Sequence, residues 1–229
     1  MPTILAIETS SELASAALLH RDQVFTREAA GVHTHSQTIL PMVQSLLAQA
    51  GLTPAQCDAI AFGAGPGSFT GVRTACGIAQ GLAFGLDLPV LPIVTLLAMA
   101  QSCHETTGAR DVLSVLDARM GEVYWAQYRF ADGWQTVIEP TLSAPSGVLP
   151  QGSVRACGNG LLAYASGFEG QAFFDEALTD CMPHAAQVAR LARTAFALGL
   201  GVTARDAQPI YLRNKVALTT DERLARAKA

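Results

Sequence analysis

A glycine-rich stretch, GAGPGSFTGVRTACGIAQGLAFG, is the feature that most constrains what this chain can fold into. It starts at Gly63, after the apolar run AIAF, and leads into a helical pattern, as a phosphate-binding loop would. The lysine of a P-loop is absent, however, and the glycines of GPGSFTG are spaced one residue too far apart for a dinucleotide-binding fingerprint. The stretch therefore predicts a tight turn in which Ser68 or Thr70 caps the following helix.

The helix predicted after this turn carries several glycines and almost no charge. Alanine and glycine alternate with larger residues from Thr74 to Leu86, and each interior glycine costs a helix about 1 kcal/mol relative to alanine. Between Ala29 and His104 the only charged residues are Asp58, Arg73 and Asp87. Surface helices of an α/β domain need a polar outer face. Either glutamine, serine and threonine supply that face or, as we expect for this helix, another polypeptide covers it.

Hydrophobic periodicity predicts an α/β fold with two tandem units. In the first, TILAIET, LASAALLH and QVFTREA are typical of strands, and HSQTILPMVQSLLAQAG is typical of an amphipathic helix. The pattern restarts at VLSVLDARMGEVYWAQY, which aligns with ILAIETSSELASAALLH and sets Asp117 opposite Glu8. We expect an N-terminal unit at residues 1–108 and a C-terminal unit at residues 109–229, the alternative being a chance likeness between two α/β halves.

Composition and charge disfavour several classes of protein. The formal net charge is −4 and no block of basic residues occurs, which disfavours a stand-alone nucleic-acid binder. The five cysteines are scattered without a C-x-x-C pair, so the sequence indicates neither a zinc site nor a disulfide framework. The sequence has no recognisable leader peptide and no apolar run of membrane-spanning length. We expect a soluble cytoplasmic protein without membrane association.

The ends of the two matching strands are where a duplicated sheet of this kind could bind phosphate. A strand-end acid could hold Mg²⁺ through water, while the turn after it offers backbone N–H groups and hydroxyls. The GNG segment after SVRAC could admit a nucleoside or be only a turn. The residues of this candidate weak nucleotide site are Glu8, Thr9, Ser10, Asp117, Gly158 and Asn159.

The sequence contains no recognisable catalytic centre. His33 and His35 are two residues apart, unlike the H-E-x-x-H ligands of zinc peptidases, and helix-cap or surface roles suit them better. Ser68 lies in GPGSFTG, which is not the G-x-S-x-G elbow of a hydrolase nucleophile. We therefore expect neither a catalytic residue nor a metal site in this chain.

The segments AIETS, HSQTILPMV and above all GAGPGSFTGVRTACGIAQGLA closely resemble the TsaB (YeaZ) family. The second half resembles the family mainly in VLDARMGEVYWAQY and PIYLRN. The resemblance implies an actin-like ATPase (ASKHA) fold of two tandem ribonuclease H-like units, each with a mixed sheet flanked by helices. It also implies a part in forming N6-threonylcarbamoyladenosine at position 37 of ANN-decoding tRNAs.

Members of this family serve as non-catalytic partners of their paralogue TsaD, whose metal-binding histidine motif they lack. The resemblance implies docking on TsaD through the helices at His35–Ala50 and Thr70–Gly85, with a homodimer through the same face in the absence of TsaD. It also implies that TsaE joins the complex and that tRNA is contacted only indirectly. The interface residues implied are His35, Ile39, Met42, Val43, Leu46, Arg73, Cys76, Gly77, Ala79, Gln80, Ala83 and Phe84.

Nucleotide binding by the chain alone is expected to be weak. Relatives of the fold carry a glycine after the first strand's acid, where this chain has Glu8-Thr9-Ser10. ATP and Mg²⁺ are thus expected only weakly or within the complex. The alternative function is an ATP-binding enzyme, kinase-like or an M22-type peptidase. A tRNA-binding module is a third hypothesis, supported only by the basic residues of the tail, which are Arg213, Lys215, Arg223, Arg226 and Lys228.

Overall fold

The computed structural model describes residues 1–30 and 35–213, which form two β-sheets with helices on their faces. The first half supplies strands β1 (Ile4–Glu8), β2 (Leu13–His20), β3 (Gln23–Ala30), β4 (Ala59–Gly65) and β5 (Val90–Val94), with helices α1 (His35–Ala50), α2 (Phe69–Leu86) and α3 (Thr95–Thr107). The strand order of this sheet is β3-β2-β1-β4-β5. β1, β2 and β3 form an antiparallel meander, and β4 pairs parallel with β1 and β5.

The second half repeats this arrangement in a smaller sheet. It supplies β6 (Asp111–Arg119), β7 (Glu122–Phe130), β8 (Trp134–Ser143) and β9 (Arg155–Cys157), with helices α4 (Asn159–Ala163) and α5 (Ala185–Ala197). The strand order is β8-β7-β6-β9, again an antiparallel meander with one parallel strand beside its first strand. The predicted fold class, two tandem units with mixed sheets, is confirmed.

Both faces of the first sheet are covered, which explains why its central strands are apolar throughout. Side chains alternate along β1, so that Leu5 and Ile7 face α1 and α2, whereas Ile4 and Ala6 face α5. In the second sheet, α3 packs on one face and α4 on the other. Helix α5, which the predicted boundary assigns to residues 109–229, thus completes the first sheet.

In the described part of the chain, no helix combines the length and the apolar character needed to cross a bilayer. The predictions made for His33 and for the basic residues Lys215, Arg223, Arg226 and Lys228 lie outside the described residues. Arg213, the remaining basic residue of the predicted tail, is described and packs beside the β6–β7 turn.

Candidate functional site

The glycine-rich turn lies directly on the turn that follows β1. A Cβ at Gly67 would approach the Ser10 carbonyl oxygen to 2.5 Å, and a Cβ at Gly71 would collide with the Thr9 carbonyl. The Ser68 N–H donates to the Ser10 carbonyl at 2.7 Å, and the Ser68 hydroxyl accepts from the Gly71 N–H at 3.4 Å. The glycines are therefore needed for close backbone contact within the chain. The predicted capping of α2 by Ser68 is confirmed.

Glu8 points into the protein interior rather than into a cleft. Its Oε1 accepts the Ser10 N–H at 2.6 Å, and its Oε2 accepts the Thr95 hydroxyl at 3.4 Å. Gly63 leaves room for the carboxylate, because a Cβ there would collide with it. Complete burial raises the pKa of Glu8, since a buried charge loses its hydration. The prediction that Glu8 offers a carboxylate to a solvated cation is therefore corrected.

A cleft of about 420 Å³ lies between the β1–β2 turn, the start of α2, the β6–β7 turn and residues 210–213. The β1–β2 turn is called the first turn below, and the β6–β7 turn is called the second turn. Of the predicted nucleotide-site residues, Ser10, Asp117 and Asn159 line this cleft. Glu8, Thr9 and Gly158 are not among its lining residues, which is a second correction. The cleft residues that the sequence did not single out include Ser11, Glu12, Tyr124 and Tyr211. Arg213, which the sequence offered only for tRNA binding, also lines the cleft. The signals for Tyr124 and Tyr211 were the family-like segments VLDARMGEVYWAQY and PIYLRN, and residues 210–213 of the latter line the cleft.

Polar groups of the second turn converge on Asp117. Its Oδ1 accepts the Arg119 N–H at 2.7 Å and the Tyr164 hydroxyl at 2.9 Å, and its Oδ2 pairs with the Arg119 guanidinium at 3.0 Å. The Asp117 N–H donates to Asn159 Oδ1 at 3.0 Å. Partial burial, with the nearby Asp117 carboxylate, raises the pKa of the Tyr164 hydroxyl. Arg119 also pairs with Glu12 of the first turn, so an ion pair joins the two units across the cleft.

An aromatic pair stands at the rim of the cleft. The rings of Phe69 and Tyr211 are 5.6 Å apart, and the Arg73 guanidinium lies 3.8 Å from the centre of the Phe69 ring. Arg73 Nε also donates to the Tyr211 hydroxyl at 2.8 Å. Arg73, predicted to contact a partner, thus contacts the chain's own C-terminal segment.

Most of the predicted interface residues lie on the inward faces of α1 and α2, against the first sheet, rather than on their outer surface. Buried side chains in α1 and α2 pack against the first sheet, because the inward face of each helix forms the core. The Gln80 amide and the Cys76 thiol both donate to the Ala207 carbonyl, within the same chain. The predicted residues to which this correction applies are His35, Ile39, Val43, Leu46, Cys76, Ala79, Gln80 and Ala83.

The outward side of these helices is lined by different residues. Around Gly77, Gly81 and Gly85 an added Cβ would meet nothing within 4 Å. Phe84, between two of these glycines, is 85% exposed, whereas Met42 is only half-buried. Helix α2 therefore has an inward alanine stripe and an outward glycine stripe. We define the outer face of α1 and α2 by its exposed residues Ser36, Leu40, Gln44, Gly77, Gly81 and Phe84.

Comparison with known proteins identifies the family. A family model described as TsaD: tRNA N6-adenosine threonylcarbamoyltransferase matches residues 18–206. A relative from Haemophilus influenzae, named tRNA threonylcarbamoyladenosine biosynthesis protein TsaB, is 40% identical over 93% of this chain and 94% of its own length. The Escherichia coli protein of the same name is 39% identical over 93% of this chain and 96% of its own length. The chain belongs to the TsaB (YeaZ) family.

Solved structures agree with this assignment. YeaZ from Pseudomonas aeruginosa superposes on this TsaB-family chain with a TM-score of 0.85 at 38% identity, covering 93% of this chain and 100% of that one. A second Pseudomonas aeruginosa structure, described as an uncharacterized protein with similarity to peptidase YEAZ, gives a TM-score of 0.87 at 39% identity with the same coverage. The actin-like fold and the paralogous relation to TsaD are thereby confirmed.

Proposed function

We propose that this TsaB-family chain takes part in the biosynthesis of N6-threonylcarbamoyladenosine in tRNA as a non-catalytic, activating subunit. In this proposal it binds TsaD through the outer face of α1 and α2 and forms a homodimer through the same face when alone. TsaE joins the complex, and tRNA is reached through the complex rather than by this chain directly. The observation that carries the proposal is the glycine-lined outer face of α2, which carries no charged residue from Thr74 to Leu86.

No close packing within the described chain requires the outward glycines of α2. Each mid-helix glycine costs about 1 kcal/mol relative to alanine, yet nothing in the described residues lies within 4 Å of a Cβ built at Gly77, Gly81 or Gly85. A second helix could approach the α2 backbone closely along this stripe, and Phe84 would then be covered. Burial of such apolar surface contributes about 25 cal/mol per Å², which suffices for stable association over an interface of ordinary size.

The chemistry of the reaction is assigned to TsaD. In the described residues, no three His, Cys, Asp or Glu side chains converge as ligands for a metal ion. The acids that the sequence offered to a reaction are bonded within the chain, Glu8 in the core and Asp117 in the second turn. These observations favour a scaffold over a peptidase or a kinase.

The proposal is tested by placing a charge on the outer face. Gly81→Glu adds a side chain where open space lies outside the helix and improves helix propensity, so the fold should survive. We expect it to abolish co-purification with TsaD and to reduce threonylcarbamoyl transfer by the reconstituted complex, because a buried unpaired charge is costly. Leu162→Glu, on an exposed position of α4, is the matched control and should leave both unchanged.

Two results would contradict the proposal. One is full co-purification of TsaD with Gly81→Glu. The other is transfer activity by the wild-type chain in the absence of TsaD. Ala79→Glu is unsuitable for this test, because Ala79 is fully buried against the first sheet and the variant would lose its fold rather than its partner.

A further inference from the structure

The actin-like fold implies that a nucleotide would bind between the turns that follow β1 and β6. Phosphates at such a site need room and free hydrogen-bond donors, chiefly backbone N–H groups and hydroxyls. A triphosphate would therefore fit here only if polar groups of both turns were free to bind it.

The first turn is filled by the chain itself. The Ser10 N–H is bonded to the Glu8 carboxylate at 2.6 Å, and the Thr9 hydroxyl donates to the Gly71 carbonyl at 2.7 Å. Gly67 and Gly71 lie against the Ser10 and Thr9 backbone so closely that no Cβ would fit between them. The loop leading into α2 thus lies against the backbone of this turn and takes up part of the space beside it, while Ser10, Gly67 and Ser68 border the cleft.

The second turn already surrounds an anion, the Asp117 carboxylate. A backbone N–H, a guanidinium and a phenol hydroxyl point to it, at 2.7, 3.0 and 2.9 Å respectively, from Arg119 and Tyr164. The Gly121 N–H donates to the same Tyr164 hydroxyl at 3.3 Å. Such a mixed set of donors is typical of an oxyanion site. Here the anion belongs to the protein.

The backbone of this turn lies in an uncommon conformation, and ion pairs of Arg119 lie beside it. Arg119, Met120 and Gly121 have φ values of 62°, 60° and 82°, in the left-handed region that non-glycine residues adopt at a cost. Arg119 also pairs with Glu12 of the first unit, but both side chains are more than half exposed, so this pair is screened by salt. The largely buried Asp117 carboxylate is the stronger anchor.

We infer that Asp117 is a built-in substitute for a bound phosphate. Its carboxylate holds the second turn and Arg119 in place. The Glu12–Arg119 ion pair then joins the two turns at the position where a nucleotide would join them. The residues present do not fit a nucleoside triphosphate. This inference concerns the isolated chain and does not depend on whether the chain binds TsaD.

The experiment is anion rescue of Asp117→Ala. Removal of the carboxylate leaves its donors unbonded and should lower the Tm by roughly 5 °C, as expected for a group with several charge-assisted hydrogen bonds. Inorganic phosphate at millimolar concentration should restore most of this loss in a saturable manner. Asp111→Ala is the matched control, because Asp111 makes one ordinary ion pair, 2.7 Å to Arg129, at the other end of β6. It should not be rescued.

Asp117→Asn keeps an acceptor oxygen and fills the position, so phosphate should stabilise it no more than the control. A variant that folds only in phosphate counts as rescued. Equal behaviour of Asp117→Ala and Asp111→Ala would overturn the inference.

The wild-type chain provides a test that does not depend on any variant. Calorimetric titration with MgATP, and with pyrophosphate, should give no saturable heat at millimolar concentration, since the Ser10 N–H, the Thr9 hydroxyl and the donors around Asp117 are already bonded. The Ser10 hydroxyl is the buried side-chain group of the two turns that has no partner among the described residues. Saturable binding of MgATP that is lost in Asp117→Ala would show a nucleotide site and overturn the inference.

Discussion

Glu8 ends β1 and Asp117 lies two residues before the end of the matching strand β6, yet their surroundings give them opposite characters. Glu8 is fully buried and bonded to Ser10 and Thr95, whereas Asp117 meets Arg119 and Tyr164 at the edge of the cleft. The difference arises from neighbours distant in sequence. The sequence alone could align the two acids, but it could not predict which one turns inward.

The burial of Glu8 makes stability depend on pH in a defined direction. Its pKa in the folded chain is raised above the ordinary value of 4.5 because burial disfavours the charged form. Below the unfolded pKa the neutral acid contributes its full stability, and this contribution is lost as the pH rises toward the folded pKa. Glu8→Gln removes the titration while keeping an acceptor for the Ser10 N–H.

We therefore expect Glu8→Gln to gain stability relative to wild type as the pH rises from about 4.5. The gain should amount to about 1.4 kcal/mol for each unit by which the folded pKa exceeds the unfolded one. Urea unfolding of both proteins across this range measures it. A difference in unfolding free energy that stays constant with pH would show that Glu8 does not titrate abnormally.

Helix α2 shows what can and cannot be predicted at the scale of an element. Its limits were predicted within one residue, because the N-cap serine and the apolar periodicity are local signals. The interface predicted from the sequence contained alanines and glycines of this helix together, whereas the structure separates them. Alanines such as Ala75 and Ala79 face the sheet, and glycines such as Gly77 and Gly81 face outward. Helical periodicity separates these two stripes, but it does not state which one meets the sheet.

The glycines of this helix should respond to substitution in opposite ways. Gly71→Ala would drive a Cβ into the Thr9 carbonyl, and we expect it to destabilise the fold by roughly 1–3 kcal/mol. Gly77→Ala has open space around it and should stabilise the isolated chain by about 0.5–1 kcal/mol through helix propensity. Thermal unfolding of the two variants decides the matter. Equal changes in unfolding free energy for the two variants would mean that Gly71 does not pack closely against the turn after β1.

At the scale of the whole molecule, the two units do not divide where the sequence repeat divides. Helix α5 packs on the first sheet, and its Ala185 N–H donates to Ser15 Oγ at 2.9 Å. The segment after α5 also returns to the first unit, where Val202 pairs with Val90 of β5 and the Ala207 carbonyl accepts two hydrogen bonds from α2. The repeat was detectable because local sequence patterns predict the succession of strands and helices along the chain. The return of α5 was not detectable, because an amphipathic helix does not specify which of two sheets it covers.

This return of the chain makes the fragment 1–108 incomplete. Without α5, the face of the first sheet that carries Ile4, Leu19, Leu91 and Ile93 would be exposed to water. We therefore expect the fragment to aggregate or to lack a cooperative unfolding transition, because an apolar patch of that kind is not tolerated in a monomer. Joining residues 183–213 to the fragment through a flexible linker should restore cooperative unfolding, measured by circular dichroism.

The matched control for the fusion carries Val188→Asp, which places a charge in the centre of the α5 contact. It should behave like the bare fragment. If residues 1–108 alone unfold cooperatively with the stability of the fusion, α5 is an accessory of the first sheet and the unit boundary predicted from the repeat is also the boundary of folding. If only the fusion folds, the first unit is built from both ends of the chain. The outer face of α1 and α2 is then held in place from behind by α5.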